Sequence, residues 1–258
     1  ITLEPLASAN AVLGIEEKEA GGALIDIGGG TTDLAIFKDG IIRHTAVIPF
    51  GGNVITEDIK EGCSIIEKQA ELLKIKFGSA WPGENKDNEI VSIPGLRGRE
   101  PKEISLKNLS KIIHARVIEI VEQVYLEIKN YGHEDQKKKL IAGIVLTGGG
   151  AQLKHLKQLV EYITGMDTRV GFPNEHMAGD SDSEVTSPMY ATAVGLVLNG
   201  LENNKINEVE DEEIINKELE PLTNEELDKE IEEKLKPKRQ GFFDKWVENL
   251  KDFLDNAE

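Results

Sequence analysis

Asp26-Ile27-Gly28-Gly29-Gly30-Thr31-Thr32-Asp33 joins two short apolar runs, Ala23-Leu24-Ile25 before it and Leu34-Ala35-Ile36-Phe37 after it. Such runs, bounded by Gly and Asp, read as strands, and a third run from Ile41 to Ile48 follows the turn Lys38-Asp39-Gly40. The connections are short, so Ala23 to Pro49 is expected to form an antiparallel meander of three strands. Glycines placed between two strands set this loop apart from the Gly-rich turns that precede a helix and meet a phosphate with the helix N-terminus. An anion site here would use the turn's own backbone N–H groups. Gly28, Gly29 and Gly30 have no Cβ to block approach, and Thr31 and Thr32 add hydroxyl donors. Asp26, closing the first strand, is a hard carboxylate suited to a hydrated Mg²⁺ beside the phosphates. The alternative is a Gly-rich hairpin turn without a ligand.

Working outward, a second glycine loop, Gly148-Gly149-Gly150, follows the strand-like run Ala142 to Leu146 and precedes an expected helix from Ala151 to Ile163. It too could approach a ligand through bare backbone. Between the loops, Asn53 is expected to cap a short helix that stops at Gly62. Ser64-x-x-Glu67 has the capping-box pattern for a helix from Ile65 to Phe77, stopped by Gly78. Glu71 and Lys74 share a face of that helix and could grip a ribose and a purine edge; a solvent-exposed ion pair is the bland reading. Short strand-like pieces, EIVSIPG and PKEIS, come next. Ser105 then opens a long helix with the stripe Leu106, Leu109, Ile113, Val117, Ile120, Val124 and Ile128, ending near Gly132. A last helix is expected from Pro188 to Leu198.

The formal charge of −17 argues against nucleic acid as a partner, because phosphate neutralisation needs clustered Lys and Arg. More than half of that charge lies between Asn203 and Leu235, where 13 acids face 4 lysines. This stretch is expected to be a disordered linker over residues 203–240, with transient helix from Asn224 to Leu235. A lone Cys63 and the lack of a signal peptide or long apolar run point to the cytoplasm. Beyond the linker, Phe242, Phe243, Trp246, Val247, Leu250, Phe253 and Leu254 recur at helical spacing, with Asp, Glu and Lys on the other face. An amphipathic helix over residues 241–258 is too short to span a bilayer and long enough to lie on its surface. Docking on a partner protein is the other reading, and the helix is acidic where membrane-seeking helices are usually basic; only Lys236, Lys238 and Arg239 offset this.

The phrases LEPLASANAVL, GGALIDIGGGTTDLAIFKDG, AELLKIKFGSA and IAGIVLTGGGAQL resemble the second half of the actin-like ATPases, in particular the FtsA cell-division family, over residues 1–202. The resemblance implies an α/β, actin-like (ribonuclease H-like) ATPase half with a mixed sheet. Subdomain IIA would comprise residues 1–50 and 144–202, and an inserted subdomain IIB residues 51–143. It implies ATP and Mg²⁺ as ligands, with Gly28 to Thr32 as second phosphate loop, Asp26 at the metal, Gly148 to Gly150 at the adenosine, and Glu71 with Lys74 at ribose and base. The first phosphate loop would lie upstream of Ile1, which reads as a cut inside a longer protein, so this chain alone is expected to be inactive and the whole at most a slow ATPase. The helix segment Ile113 to Ile120 resembles the surface that contacts the C-terminal tail of FtsZ, with Arg116 and Glu119 as its charged pair; a solvated helix face is the alternative. The implied role is an adaptor that self-associates into filaments and ties FtsZ to the cytoplasmic membrane surface at the division septum. A pilus-assembly ATPase of the PilM type and a sugar kinase-like enzyme of the same fold are the rivals.

Overall fold

The computed structural model describes residues 2–86, 88–95, 100–173 and 185–201. The elements in chain order are α1 (Glu4–Val12), α2 (Ile15–Ala20), β1 (Gly22–Ile27), β2 (Thr32–Lys38), β3 (Ile41–Ile48), α3 (Gly52–Cys63) and α4 (Glu67–Phe77). They continue with β4 (Ile90–Ile93), β5 (Lys102–Ser105), α5 (Leu106–Tyr131), β6 (Gly143–Thr147), α6 (Leu156–Thr164), β7 (Thr168–Val170) and a helix α7 over residues 191–201. The expected acidic linker and the expected terminal helix, from Phe242 to Leu254 on its apolar face, fall outside the described residues.

The meander forms as expected, β1–β2 and β2–β3 being antiparallel. The sheet then extends on the other side of β1, in the order β3-β2-β1-β6-β7, with β6 parallel to β1 and β7 parallel to β6. Every residue of β1 is buried, which suits a strand covered on both faces. Ala23, Ile25 and Ile27 pack with Leu34, Ile36, Ile144 and Leu146 in a core that includes α3, α5 and α6. On the opposite face, Leu24, Ala35, Phe37 and Val145 meet Ala9 and Val12 of α1, Leu13 just after it, and Ala191 of α7. The edge strand β3 alternates instead, with Ile41, Arg43, Thr45 and Val47 exposed.

The expected stripe of α5 is buried from Leu109 through Ile128, and Gly132 ends the helix in the left-handed conformation. The two strand-like pieces pair as the antiparallel ribbon β4–β5. Four local expectations need correction. Gly51, not Asn53, precedes the first turn of α3, because the Asn53 N–H bonds the Gly29 carbonyl at 2.8 Å. That helix runs through Gly62, whose missing Cβ leaves room for the Ile112 side chain. Ser64 does not open α4: it stands left-handed at φ 48°, closing α3, and Ile66 precedes the first turn of α4. The second glycine loop leads into a single 3₁₀ turn, Gly149–Gln152, and α6 starts only at Leu156, after a left-handed His155.

Candidate functional site

Parallel pairing decides where the site lies. Asp26 at the end of β1 stands opposite Thr147 at the end of β6, so the loops that follow these strands leave the same edge of the sheet side by side. The first loop is seated on the start of α3, where the Gly52 and Asn53 N–H groups donate to the Gly28 and Gly29 carbonyls at 2.9 and 2.8 Å. The Gly29 and Gly30 N–H groups have no acceptor among the described residues, which leaves them for an anion. Thr31 donates its hydroxyl to Asp33 and Thr32, fully buried, donates to the Phe50 carbonyl, so both hydroxyls brace the loop.

A cavity of 440 Å³ opens between the loops. Gly28, Gly29, Glu71, Lys74, Gly149 and Gly150 line it, whereas Gly30, Thr31, Thr32, Gly148 and Asp26 stand outside its lining. Ile75, Leu153 and Leu156 form apolar wall, and Asn53, Gln152 and Met189 add contacts that the sequence reading missed. Asn53 was legible as a polar residue directly after Gly51-Gly52. Lys74 and Glu71 pair at 2.8 Å on α4 as their spacing suggests, and Lys74 also donates to the Gly52 carbonyl at 2.8 Å. Such a cleft, mostly apolar with a few convergent polar groups, has the size and character of a small-molecule site. Its glycine-lined edges present bare backbone suited to an anion, and its apolar wall presents a surface suited to a planar group.

Asp26 is 6% exposed, and its Oδ2 accepts from Ser8 of α1 at 2.6 Å and from Thr192 of α7 at 3.4 Å. Burial pushes its carboxyl above the ordinary range against the pull of the Ser8 hydroxyl, and the neighbouring Asp33 charge adds to the rise. Among the described residues no cluster of three metal-ligating side chains exists. A single buried carboxylate at the root of a glycine loop would nonetheless suit Mg²⁺, which keeps most of its waters and borrows oxygens from the group it accompanies. Because the folded-state pKa of Asp26 is raised, its contribution to stability is present at low pH and is lost as pH rises through the folded value. Asp26→Asn should therefore raise the melting temperature of this chain at pH 7, by roughly 2–4 °C per kcal/mol of charge burial relieved. The advantage should vanish toward pH 3. A mutant less stable than wild type at pH 7, or a gap independent of pH, would contradict this account.

Arg116 and Glu119 do not line the cleft. They pair at 2.5 Å along α5, and the Arg116 guanidinium also forks onto Asp58 of α3, at 2.6 and 3.0 Å.

A mixed sheet between helices, with two glycine loops at one edge, defines the class: an actin-like ATPase fold. MreB5 of Spiroplasma citri, in a crystal structure bound to ADP, superposes with a TM-score of 0.62 and 26% identity, over 81% of this chain and 61% of that one. The PilM–PilN type IV pilus biogenesis complex shares the fold at a TM-score of 0.59 and 20% identity, over 78% of this chain and 52% of that one. Residues 23–195 match the model of the family described as cell division protein FtsA. The cell division protein FtsA of Neisseria meningitidis serogroup B is 43% identical over 76% of this chain and 47% of the relative. That of Pseudomonas aeruginosa is 41% identical over 78% and 47%. The chain belongs to the FtsA family of cell division proteins. It spans about half the length of these curated relatives.

Proposed function

We propose that the chain supplies one wall of an ATP-binding cleft in an FtsA-type adaptor, a protein that assembles with copies of itself and holds FtsZ filaments at the cytoplasmic membrane. The observation that carries the reading is the meeting of the two glycine loops and the Glu71–Lys74 pair around one cavity, although they come from segments more than a hundred residues apart or on different elements. Gly28 to Thr32 and the facing Gly148 to Gly150 would take the phosphates and adenosine, Glu71 and Lys74 the ribose and base, and Asp26 a Mg²⁺ that neutralises phosphate charge when bound. Hydrolysis, if present, is slow and switches assembly. Residues 1–50 and 144–202 then act as subdomain IIA and residues 51–143 as subdomain IIB, whose Arg116 and Glu119 receive the FtsZ tail. Residues 203–240 are the linker, and residues 241–258 lie on the cytoplasmic face of the membrane at the division septum. No helix of the described residues is long and apolar enough to cross a membrane.

The terminal helix is a weak anchor by itself. Seven large apolar side chains could each contribute about 1.5–3 kcal/mol if fully buried, but helix formation and partial immersion offset much of this. Attachment therefore relies on neighbours in a filament inserting together, an avidity effect that needs no new contact. Liposome co-sedimentation of the full-length protein with Mg·ATP tests nucleotide and membrane at once. Wild type should pellet with vesicles, deletion of residues 241–258 should abolish pelleting, and Gly29→Val should weaken it by filling the phosphate approach with a β-branched side chain. Pelleting by the deletion would remove the anchor, and undiminished pelleting by Gly29→Val would remove the nucleotide-driven assembly.

A further inference from the structure

The Glu71 carboxylate is held by one of its two oxygens. Oε2 accepts from the Lys74 ammonium at 2.8 Å and from the Thr56 hydroxyl, while Oε1 has no donor among the described residues. Thr56, 4% exposed on α3, also receives a hydrogen bond from Lys74 at 2.7 Å. One helical turn earlier on α3, Gly52 accepts from the same ammonium and donates its N–H to the phosphate loop at Gly28. The Thr56 hydroxyl is therefore the meeting point of both α4 side chains; the Gly52 carbonyl also lies 3.1 Å from it, but the hydroxyl's one proton goes to the nearer acceptor, Glu71. Burial alone would raise the Glu71 pKa, but the Lys74 ammonium and the Thr56 hydroxyl outweigh it and hold the carboxyl below its usual range. At neutral pH the group is an acceptor only. Glu71 lines the cleft, so its second oxygen is available to a donor that enters there.

We propose that Thr56 is a positioning residue, which fixes Glu71 so that Oε1 meets a ribose hydroxyl, and that the cleft thereby selects nucleotides with an intact 2′,3′-diol over their deoxy analogues. This rests on the nucleotide reading above and adds to it the residue that sets sugar selectivity. Sites built to hydrogen-bond a hydroxyl reject the analogue that lacks it, less steeply where water reaches the acceptor, and the Glu71 side chain is 42% exposed. The expected preference is about tenfold, the lower end of what a hydrogen bond to a charged group supplies.

The test is calorimetric titration of the full-length protein with Mg·ATP, Mg·2′-deoxy-ATP and Mg·3′-deoxy-ATP, in wild type, Thr56→Val, Thr56→Ser and Glu71→Ala. Wild type and Thr56→Ser should prefer ATP over at least one analogue. Thr56→Val should lose that preference while binding the analogue as wild type does, a readout that general loss of folding would not produce. If Thr56→Val keeps the wild-type ratio while Glu71→Ala loses it, Glu71 grips the sugar without help from Thr56 and the positioning role is overturned. If wild type shows no preference, or Glu71→Ala retains it, the sugar contact falls; if wild type fails to bind Mg·ATP, the nucleotide reading falls and this inference with it.

Discussion

Gly148→Ala should lower the melting temperature of this chain by about 10 °C or more. Two independent penalties meet at this residue. Gly148 has φ +81° and ψ 171°, a region essentially reserved for glycine, where an L side chain costs on the order of 1–3 kcal/mol. A Cβ there would also sit 2.3 Å from the Asp26 carboxylate and 2.6 Å from the Ile27 carbonyl, so the close seam of β1 and β6 would have to part. Overpacking of this kind typically costs a further 1–3 kcal/mol or so. Each kcal/mol is worth roughly 2–4 °C in a domain of this size. Gly30→Ala is the matched control, because its Cβ would meet nothing within 4 Å and its φ is not in the glycine region. Differential scanning calorimetry of both variants decides the matter. Equal melting temperatures would mean that the seam is not tight, and the proximity of the second loop to Asp26 would lose its structural basis.

The second large effect belongs to Arg116. If the FtsZ tail, read as acidic and apolar, docks on this flank of α5, its carboxylate competes with Asp58 and Glu119 for one guanidinium. Removing one partner of a buried, hydrogen-bonded charge pair costs about 2–5 kcal/mol; Arg116 is partly exposed, so the low end applies, and Arg116→Ala should weaken peptide binding about tenfold. The same substitution leaves Asp58 unpaired, but that partly exposed pair should contribute only about 1 kcal/mol to stability. Asp58→Asn separates the two roles. It relieves the competition while keeping a hydrogen-bond acceptor for Arg116, and should hold or tighten binding. Fluorescence anisotropy with a labelled FtsZ C-terminal peptide is the measurement. Equal affinity of wild type and Arg116→Ala would refute the assignment of this surface.

Much of the architecture is legible one segment at a time. The β-branched runs between Gly and Asp identify β1 to β3, and their short turns leave only antiparallel pairing. The stripe from Leu109 to Ile128 identifies the buried face of α5 because a helix repeats its neighbours every three to four residues. Helix boundaries were less legible. Ser64 carries the local pattern of a cap yet serves as a left-handed stop, since competing end signals two or three residues apart are resolved by packing against the rest of the chain.

By itself, then, the sequence determined which segments are strands and helices, which turns need glycine, and through its long ordered phrases the family to which the chain belongs. The tertiary structure alone decided which segments are neighbours. A continuous apolar run marks β6 as a buried strand but is the same whichever strand it joins, so the parallel register of Asp26 with Thr147, and with it the facing of the two glycine loops, is not written locally. The environment of Asp26 is likewise assembled from both ends of the described chain, Ser8 and Thr192, to which no spacing rule points. Thr56 reads as an ordinary helix residue until folding brings α4 against α3 and its hydroxyl becomes the meeting point of Glu71 and Lys74. Local pattern reports how a segment meets solvent and core; the identity of a long-range partner depends on shape and polar pairing between segments, which exist only once the chain has folded.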